Sequence, residues 1–234
     1  MRVEIWSDVV CPWCYVGKRN FEAALAQFEH GDDVEVVWRA FELDPSAPAE
    51  REGDYATHLA RKYGMSVGQA QQMIETMTAT GAAAGAVLDF AKARPGNTFD
   101  AHRLLHLAGE RGLQGALKER FLQATFAEGE PIGDRAALLR LAVDVGLDEA
   151  EVTAVLESGV YATEVREEES LASDLGISAV PFFVIDRKFG IPGAQPPDVL
   201  LQALRRAWQK SANPLVAAAD TAQAPGCDGD SCAV

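Results

Sequence analysis

The spacing of apolar residues divides the chain into stretches with different predicted structure. Residues 2–6 and 34–39 have the β-rich, apolar composition of short strands. Between them, residues 12–29 carry apolar side chains at offsets 0, 3, 4 and 7, the spacing of one face of a helix. The first 45 residues therefore predict a strand, a helix and a second strand, and Pro45 ends the second strand.

The middle of the chain, residues 46–175, predicts helices throughout. Apolar residues recur there with helical spacing, and most of the predicted helices begin at a residue that caps helix N-termini and end near a glycine. The predicted N-caps are Asp54, Ser66, Thr98, Asp134 and Asp148. The acidic run Glu167–Glu169 is predicted to lie on a solvated helix face.

Strand signals return after Gly176. Residues 181–185, Pro-Phe-Phe-Val-Ile, are apolar on both faces, as a central strand requires. A short return strand is predicted over 188–191, and a final helix begins at Pro196 and Pro197. From residue 211 the chain is rich in Ala, Asp, Gly and Pro, and it is expected to be a flexible tail.

Composition and charge exclude some classes of partner. The 234 residues are 48% hydrophobic and 24% charged, with a formal net charge of −14, which argues against nucleic acid or an anionic membrane as a partner. No apolar run approaches the length of a membrane span, and the N terminus lacks the apolar region of a signal peptide. The predicted compartment is the cytoplasm, where cysteines are more often catalytic than structural.

The candidate chemistry lies in Cys11-Pro12-Trp13-Cys14, directly before the first predicted helix. Pro12 suits the first helical position, so Cys11 should lie at the helix N-terminus. Unpaired N–H groups and the helix dipole favour an anion there, which predicts a lowered pKa for Cys11 and makes it the expected nucleophile. Cys14, one turn further on, is the expected resolving thiol.

A zinc site is the alternative interpretation of the pair, and it is disfavoured. A zinc ribbon needs a second ligand pair at matching spacing, whereas Cys227 and Cys232 are spaced CxxxxC near the C terminus. These two are either idle thiols of the tail or a second redox pair that exchanges with Cys11 and Cys14. No metal is expected.

Three motifs carry a resemblance to the DsbA family of the thioredoxin superfamily, and specifically to its FrnE-type branch. They are the segment Ser7–Cys14, the segment Asn97–Arg103, and Gly193-Ala194-Gln195-Pro196, and the resemblance covers roughly residues 1–210. The strand around Val180-Pro181 is similar to the cis-proline strand of the superfamily.

The resemblance implies an α/β fold: a thioredoxin fold with a large all-helical insertion. The thioredoxin domain would consist of two halves, residues 1–45 and 176–210, with the inserted helical domain at 46–175 and the tail at 211–234. It also implies a cis bond before Pro181 that faces the cysteines, so that Val180 and Pro181, together with Pro12 and Trp13, bind substrate.

The implied function is a cytoplasmic thiol–disulfide oxidoreductase or isomerase acting on disulfide-containing proteins or small thiols. No cofactor is required, although glutathione is a candidate co-substrate. One alternative is a glutathione-dependent isomerase of the hydroxychromene-carboxylate type, in which serine typically replaces the first cysteine. Another is a non-catalytic chaperone or accessory protein of a biosynthetic pathway. The oligomeric state is left open.

Two further pairs of polar residues have candidate roles. His102 and His106 have the i, i+4 spacing of metal ligands, but no third ligand is evident, and a surface or partly buried pair is favoured. Glu42 and Asp44 are candidates for an acid that takes the proton of Cys14.

Overall fold

The computed structural model describes residues 1–51 and 53–212. The predictions for the tail, including the second redox pair Cys227 and Cys232, fall outside the described residues and stay predictions. Within the described part of the chain, no helix is long and apolar enough to cross a membrane.

The sheet has four strands, of which the first in sequence is central. The strands are β1 (Arg2–Ser7), β2 (Glu35–Ala40), β3 (Phe182–Ile185) and β4 (Phe189–Pro192), in the order β2-β1-β3-β4. Strand β1 runs parallel to β2 and antiparallel to β3, and β4 is antiparallel to β3. Because β1 is buried on both faces, it needs no alternation of polar and apolar residues.

Helices fill the chain between β2 and β3 and flank the sheet. The helices are α1 (Pro12–Leu25), α2 (Tyr55–Tyr63), α3 (Val67–Ala83), α4 (Phe99–Glu110), α5 (Gln114–Gln123), α6 (Arg135–Asp144), α7 (Glu149–Glu157), α8 (Ala162–Asp174) and α9 (Pro197–Ala212), with a 3₁₀ turn at Gly31–Asp33 and a π-helical turn at Ala124–Glu128. The predicted α/β architecture with a large helical insertion is confirmed. The proposed domain boundaries within it stay a prediction.

Four of the five predicted N-caps are confirmed by their hydrogen bonds. In each case the capping side chain accepts a hydrogen bond from the backbone N–H three residues later. The four residues are Asp54, Ser66, Asp134 and Asp148. Thr98 occupies the predicted position before α4, but its side chain makes no capping hydrogen bond, so the predicted capping role is wrong. The side chain of Asn97 accepts a bond from the N–H of Phe99 instead, at 3.0 Å.

Helix α1 lies between the sheet and the insertion and packs against both. On one side Phe21 joins the sheet core, with its ring 5.5 Å from that of Phe183. On the other side Tyr15 and Val16 join a cluster formed with α2 and α3. Residues at the start of α1 therefore lie where the sheet and the helical insertion meet.

The prediction that the acidic run of α8 is solvated is wrong for Glu168, which is buried. Its carboxylate accepts hydrogen bonds from the backbone N–H of Ala40 and from Arg39, both at 2.6 Å. Arg39 also bonds Glu4, and Arg187 donates to Glu4 at 2.9 Å. This network joins β1, β2, α8 and the β3–β4 turn.

A buried arginine closes the C-terminal end of α7. The guanidinium of Arg103, on α4, donates to the carbonyls of Val155, Ser158 and Val160, and pairs with Asp100 at 2.7 Å. Because the last carbonyls of a helix lack intrahelical partners, Arg103 supplies the donors that they would otherwise need.

Candidate active site

The sequence-predicted cysteine pair lies at the N-terminus of α1. Cys11 is the N-cap residue with extended backbone, and Pro12 occupies the first turn. The backbone N–H of Cys14 donates to Cys11 Sγ at 3.3 Å. The predicted placement of Cys11 at the positive end of the helix is thus confirmed, and one of the free N–H groups of the helix points at its sulfur.

The predicted lowered pKa at Cys11 requires a correction, because the two buried thiols ionise as a pair. Cys11 is 4% exposed and Cys14 is fully buried. A hydrogen bond with Cys14, followed by burial, raises the pKa of the Cys11 thiol well above its ordinary value. Burial also acts to raise the pKa of Cys14, but the hydrogen bond from Cys11 and the charge of Lys118 outweigh it and lower that pKa. The two thiols therefore ionise as a coupled pair, in which Cys14 loses its proton more readily than Cys11.

The segment before β3 faces the first cysteine. The peptide bond between Val180 and Pro181 is cis, as predicted. Cys11 Sγ lies 3.7 Å from the carbonyl oxygen of Val180, within hydrogen-bond range for sulfur. Pro12 is buried, whereas Trp13 is 40% exposed and places its ring at the rim of the site.

The close approach of α1 to this segment depends on a glycine. A Cβ atom at Gly17 would lie 2.7 Å from Cγ of Pro181 and 3.5 Å from the ring of Phe183. Carbon atoms do not approach so closely in packed interiors, so a side chain here would push Pro181 away from the helix.

A cleft opens beside the cysteine pair, between the start of α1 and the inserted helices. Its volume is about 110 Å³. Pro12 and Trp13 form one wall, and the other walls include aromatic, methionine and cationic side chains. These are Tyr55, His58, Lys62 and Tyr63 of α2, Met73 and Met77 of α3, and Arg51 of the preceding loop. The insertion therefore supplies most of the lining of this cleft.

Behind the cysteines lies a buried cluster of polar groups. Lys118, on α5, donates to the carbonyl of Ser7 at 3.0 Å, and Asp8 accepts from the backbone of Leu43 at 2.8 Å. His102 Nε2 lies 3.4 Å from Asp8 Oδ1. The side chains of four residues in this cluster are buried: Ser7, Asp8, His102 and Lys118. Despite burial, hydrogen bonding by His102 and the charges of His102 and Lys118 lower the pKa of Asp8.

Other predicted polar residues have different partners from those expected. Glu42 pairs with Arg166 and Asp44 with Arg51, and a role for either carboxylate in taking the proton of Cys14 stays a prediction. His102 and His106 separate, because His102 faces Asp8 whereas His106 lies 3.3 Å from Glu168. Across residues 1–51 and 53–212, no three His, Cys, Asp or Glu side chains form a group that could hold a metal.

Lys118, whose charge acts on Cys14, was not among the site residues predicted from the sequence. A signal was present: Lys118 lies three and four residues before Phe121 and Leu122, which are buried. A lysine on the apolar stripe of an amphipathic helix is a candidate for a buried charge with a specific purpose.

Comparisons with known proteins agree with this geometry. The model of the DSBA-like thioredoxin domain matches residues 2–205. The uncharacterized protein YwbO of Bacillus subtilis is 34% identical over 206 residues, covering 87% of this chain and 96% of YwbO. The crystal structure of a probable DsbA oxidoreductase, SCO1869 of Streptomyces coelicolor, is 49% identical, with a TM-score of 0.87 over 100% of this chain and 99% of that one.

A more distant structure shares the fold. The structure of 2-hydroxychromene-2-carboxylate isomerase superimposes with a TM-score of 0.68, covering 92% of this chain and 99% of the isomerase. At 15% identity this likeness concerns the fold alone.

Proposed function

Because the chain belongs to the DsbA-like thioredoxin family, we propose that it is a thiol–disulfide oxidoreductase and isomerase of the FrnE-type branch. The observation that carries the proposal is the Cys11–Cys14 pair at a helix N-terminus, with Cys11 in contact with the carbonyl of Val180. Substrates would be protein or small-molecule disulfides.

The first step is attack by Cys11 on a substrate disulfide. As the substrate approaches, Cys11 passes its proton along the hydrogen bond to Cys14, so that the negative charge of the pair moves to the outer sulfur. A bond forms between Cys11 Sγ and one substrate sulfur, the substrate S–S bond breaks, and the second substrate sulfur leaves with the electron pair and takes a proton from water. Cys11 performs this step because, of the two cysteine residues, only Cys11 retains any exposed surface.

The second step resolves the mixed disulfide. Cys14, as thiolate, attacks Cys11 Sγ, the Cys11–substrate bond breaks, and the substrate sulfur that was bound to Cys11 leaves as a thiolate and is protonated. The substrate disulfide has then gained two electrons, and the protein dithiol has become a disulfide. Run in reverse, the same two steps oxidise a substrate dithiol, and attack by another substrate thiol on the mixed disulfide gives isomerisation.

The cleft supports substrates that carry apolar or aromatic groups near the disulfide. Trp13, Tyr55 and Tyr63 offer aromatic surface, and Lys62 adds a positive charge at the rim. A cytoplasmic location, and glutathione as a co-substrate, are parts of the same proposal. The second redox pair, Cys227 and Cys232, stays a prediction.

The likeness to 2-hydroxychromene-2-carboxylate isomerase favours a second candidate, a glutathione-dependent isomerase. Such an enzyme typically has serine at the position of Cys11, and it has no use for a resolving thiol. The Cys11–Cys14 pair therefore makes this candidate weaker than the first. A non-catalytic chaperone is the third candidate, and it also leaves the pair without a role.

The proposal predicts different outcomes for the two serine variants in the reduction of insulin by a small thiol. Cys11→Ser should abolish turnover, whereas Cys14→Ser should accumulate a mixed disulfide through Cys11, which peptide mapping identifies. Alkylation of the reduced wild-type protein should label Cys11 first, because Cys14 is fully buried.

Three results would contradict the assignment. Preferential labelling of Cys14 would refute the order of attack. Glutathione-dependent isomerisation of a hydroxychromene carboxylate that survives in the double-serine variant, without insulin reduction in the wild type, would favour the second candidate. Suppression of aggregation by the double-serine variant, again without insulin reduction, would favour the third.

A further inference from the structure

A buried lysine lies behind the cysteine pair and is not used by the two steps above. Lys118 is 0% exposed, and its ammonium donates to the carbonyl of Ser7. Among the described residues it forms no ion pair with a carboxylate. The chain offers a direct contrast in Lys18, which is also buried but pairs with Glu119 at 2.7 Å and with Glu22. A fully buried, unpaired ammonium is costly, so its presence needs a reason.

The groups facing Lys118 come from three elements. Helix α1 contributes Cys14, Cys11 and Lys18, the end of β1 contributes Asp8, and β2 contributes the ring of Trp38, whose centroid lies 5.7 Å from Nζ. Burial lowers the pKa of Lys118 to about 8, opposed chiefly by the negative charge of Cys14 and then by that of Asp8. Lys118 is therefore still mainly cationic at neutral pH.

Asp8 is not free to neutralise Lys118. Its carboxylate accepts backbone bonds from Val9 at 2.7 Å and Leu43 at 2.8 Å, and His102 lies beside its Oδ1. The sulfur of Cys14 is the other centre of negative charge near the ammonium, and the charge of Lys118 lowers the pKa of that thiol.

A second donor, the hydroxyl of Ser7, lies near Cys14. The hydroxyl of Ser7 is buried and makes no hydrogen bond among the described residues. It also acts to lower the pKa of Cys14. An unpaired hydroxyl and an unpaired ammonium are thus arranged around one sulfur, and both favour its anionic form.

We propose that Lys118 acts through Cys14, as the fixed positive charge that stabilises the resolving thiolate in the second step of disulfide exchange. The inference rests on the proposed function. In the mixed disulfide Cys11 carries no charge, so Cys14 alone loses a proton, which passes to water. Its thiolate then forms the Cys11–Cys14 bond, and the departing substrate thiolate takes up a proton, so that no net proton is released. Lys118 is a positioning residue: it acts on the reaction only through the charge of Cys14 and touches no substrate.

The test separates the two steps with dithiobis(nitrobenzoate), an aromatic disulfide that releases one coloured thiolate per step. The reduced full-length protein is mixed with the reagent in a stopped-flow instrument. The first release reports attack by Cys11, and the second reports resolution by Cys14. In Lys118→Met the first phase should stay within about twofold, and the second should slow about tenfold at neutral pH, since one unit of pKa is a tenfold change in thiolate.

The pH dependence of the second phase should change in a matching way. Its midpoint should move up by about one pH unit or more in Lys118→Met, because Cys14 then ionises without a neighbouring cation. Lys118→Arg should restore most of the second phase, because it keeps the charge. Lys18→Met is the matched control, a buried lysine removed from the same region, and it should leave the second phase within about threefold.

The outcomes distinguish the possible failures. No first phase in the wild type would refute the proposed function itself. A normal first phase with an unchanged second phase in Lys118→Met would overturn the role of Lys118, and so would equal slowing of both phases or equal effects in Lys18→Met. If Lys118→Met does not fold, the pKa of Cys14 is measured instead by ultraviolet titration in the Cys11→Ser variant, with and without Lys118→Arg. A Cys14 pKa at or above that of an ordinary thiol when Lys118 is present would refute the proposal.

Discussion

The contact between Gly17 and Pro181 predicts an unusual response to a conservative change. In most helix interiors Gly→Ala stabilises a protein, because alanine is favoured over glycine by about 1 kcal/mol. At Gly17 the added carbon would lie 2.7 Å from Cγ and 3.3 Å from Cβ of Pro181, both atoms of a rigid ring. Overpacking of this kind costs about 1–3 kcal/mol and is partly offset by that gain, so Gly17→Ala should lower the free energy of unfolding by up to about 2 kcal/mol net.

Gly68→Ala is the control, because its new carbon would meet no atom closer than Ser66 Oγ at 4.0 Å. Urea unfolding followed by tryptophan fluorescence should show the control as stable as the parent or more stable, by up to about 1 kcal/mol, at unchanged denaturant dependence. Gly17→Ala should also slow the reaction of Cys11 with protein disulfides more than with iodoacetamide, since Val180 and Pro181 move relative to the sulfur. A Gly17→Ala protein as stable as Gly68→Ala would refute the packing argument.

Two other substitutions test a buried network within the helical insertion and one that joins the sheet to α8. Arg103→Met should lower the free energy of unfolding by about 3 kcal/mol or more in the same urea assay, because several buried carbonyls lose their donor; a loss below about 1 kcal/mol would contradict the capping role. Hydrogen bonding by Arg187, opposed by burial and aided by Arg39, lowers the pKa of Glu4 from 4.5 to about 2, so the stability that ionised Glu4 contributes is present above pH 4.5 and is lost as the pH falls toward 2. Glu4→Gln should therefore flatten the stability profile over that window, and an unchanged slope would show that Glu4 has the same pKa in the unfolded chain.

Local chemistry allowed the sequence to predict much of the fold. The predicted N-caps accept hydrogen bonds from backbone N–H groups only three residues away, so a short segment of sequence contains both partners. This holds for Asp54, Ser66, Asp134 and Asp148. The prediction of Thr98 as an N-cap was wrong for an equally local reason. The side chain of the neighbouring Asn97 accepts the hydrogen bond at that helix start.

Contacts between distant segments could not be read in this way. Glu168 belongs to a run of acidic residues that is typical of a solvated surface, and its partners Arg39 and Ala40 lie far away in sequence. The site shows the same limit. The helix dipole alone predicted a lowered pKa at Cys11, whereas the charge balance depends on Lys118, which a different part of the chain brings to the back of the site.

The strand order of the sheet has a consequence for synthesis of the chain. Strand β1 leaves the ribosome long before β3, which begins at Phe182, yet one edge of β1 pairs with β3. At about 5–20 residues per second, that edge waits roughly 9–35 s for its partner. An unpaired edge on an apolar strand invites pairing with other chains, so the nascent protein is most exposed to aggregation while its helical middle is being translated. The danger passes with the emergence of one short strand, Phe182–Ile185, which covers the edge of β1 that had waited for a partner.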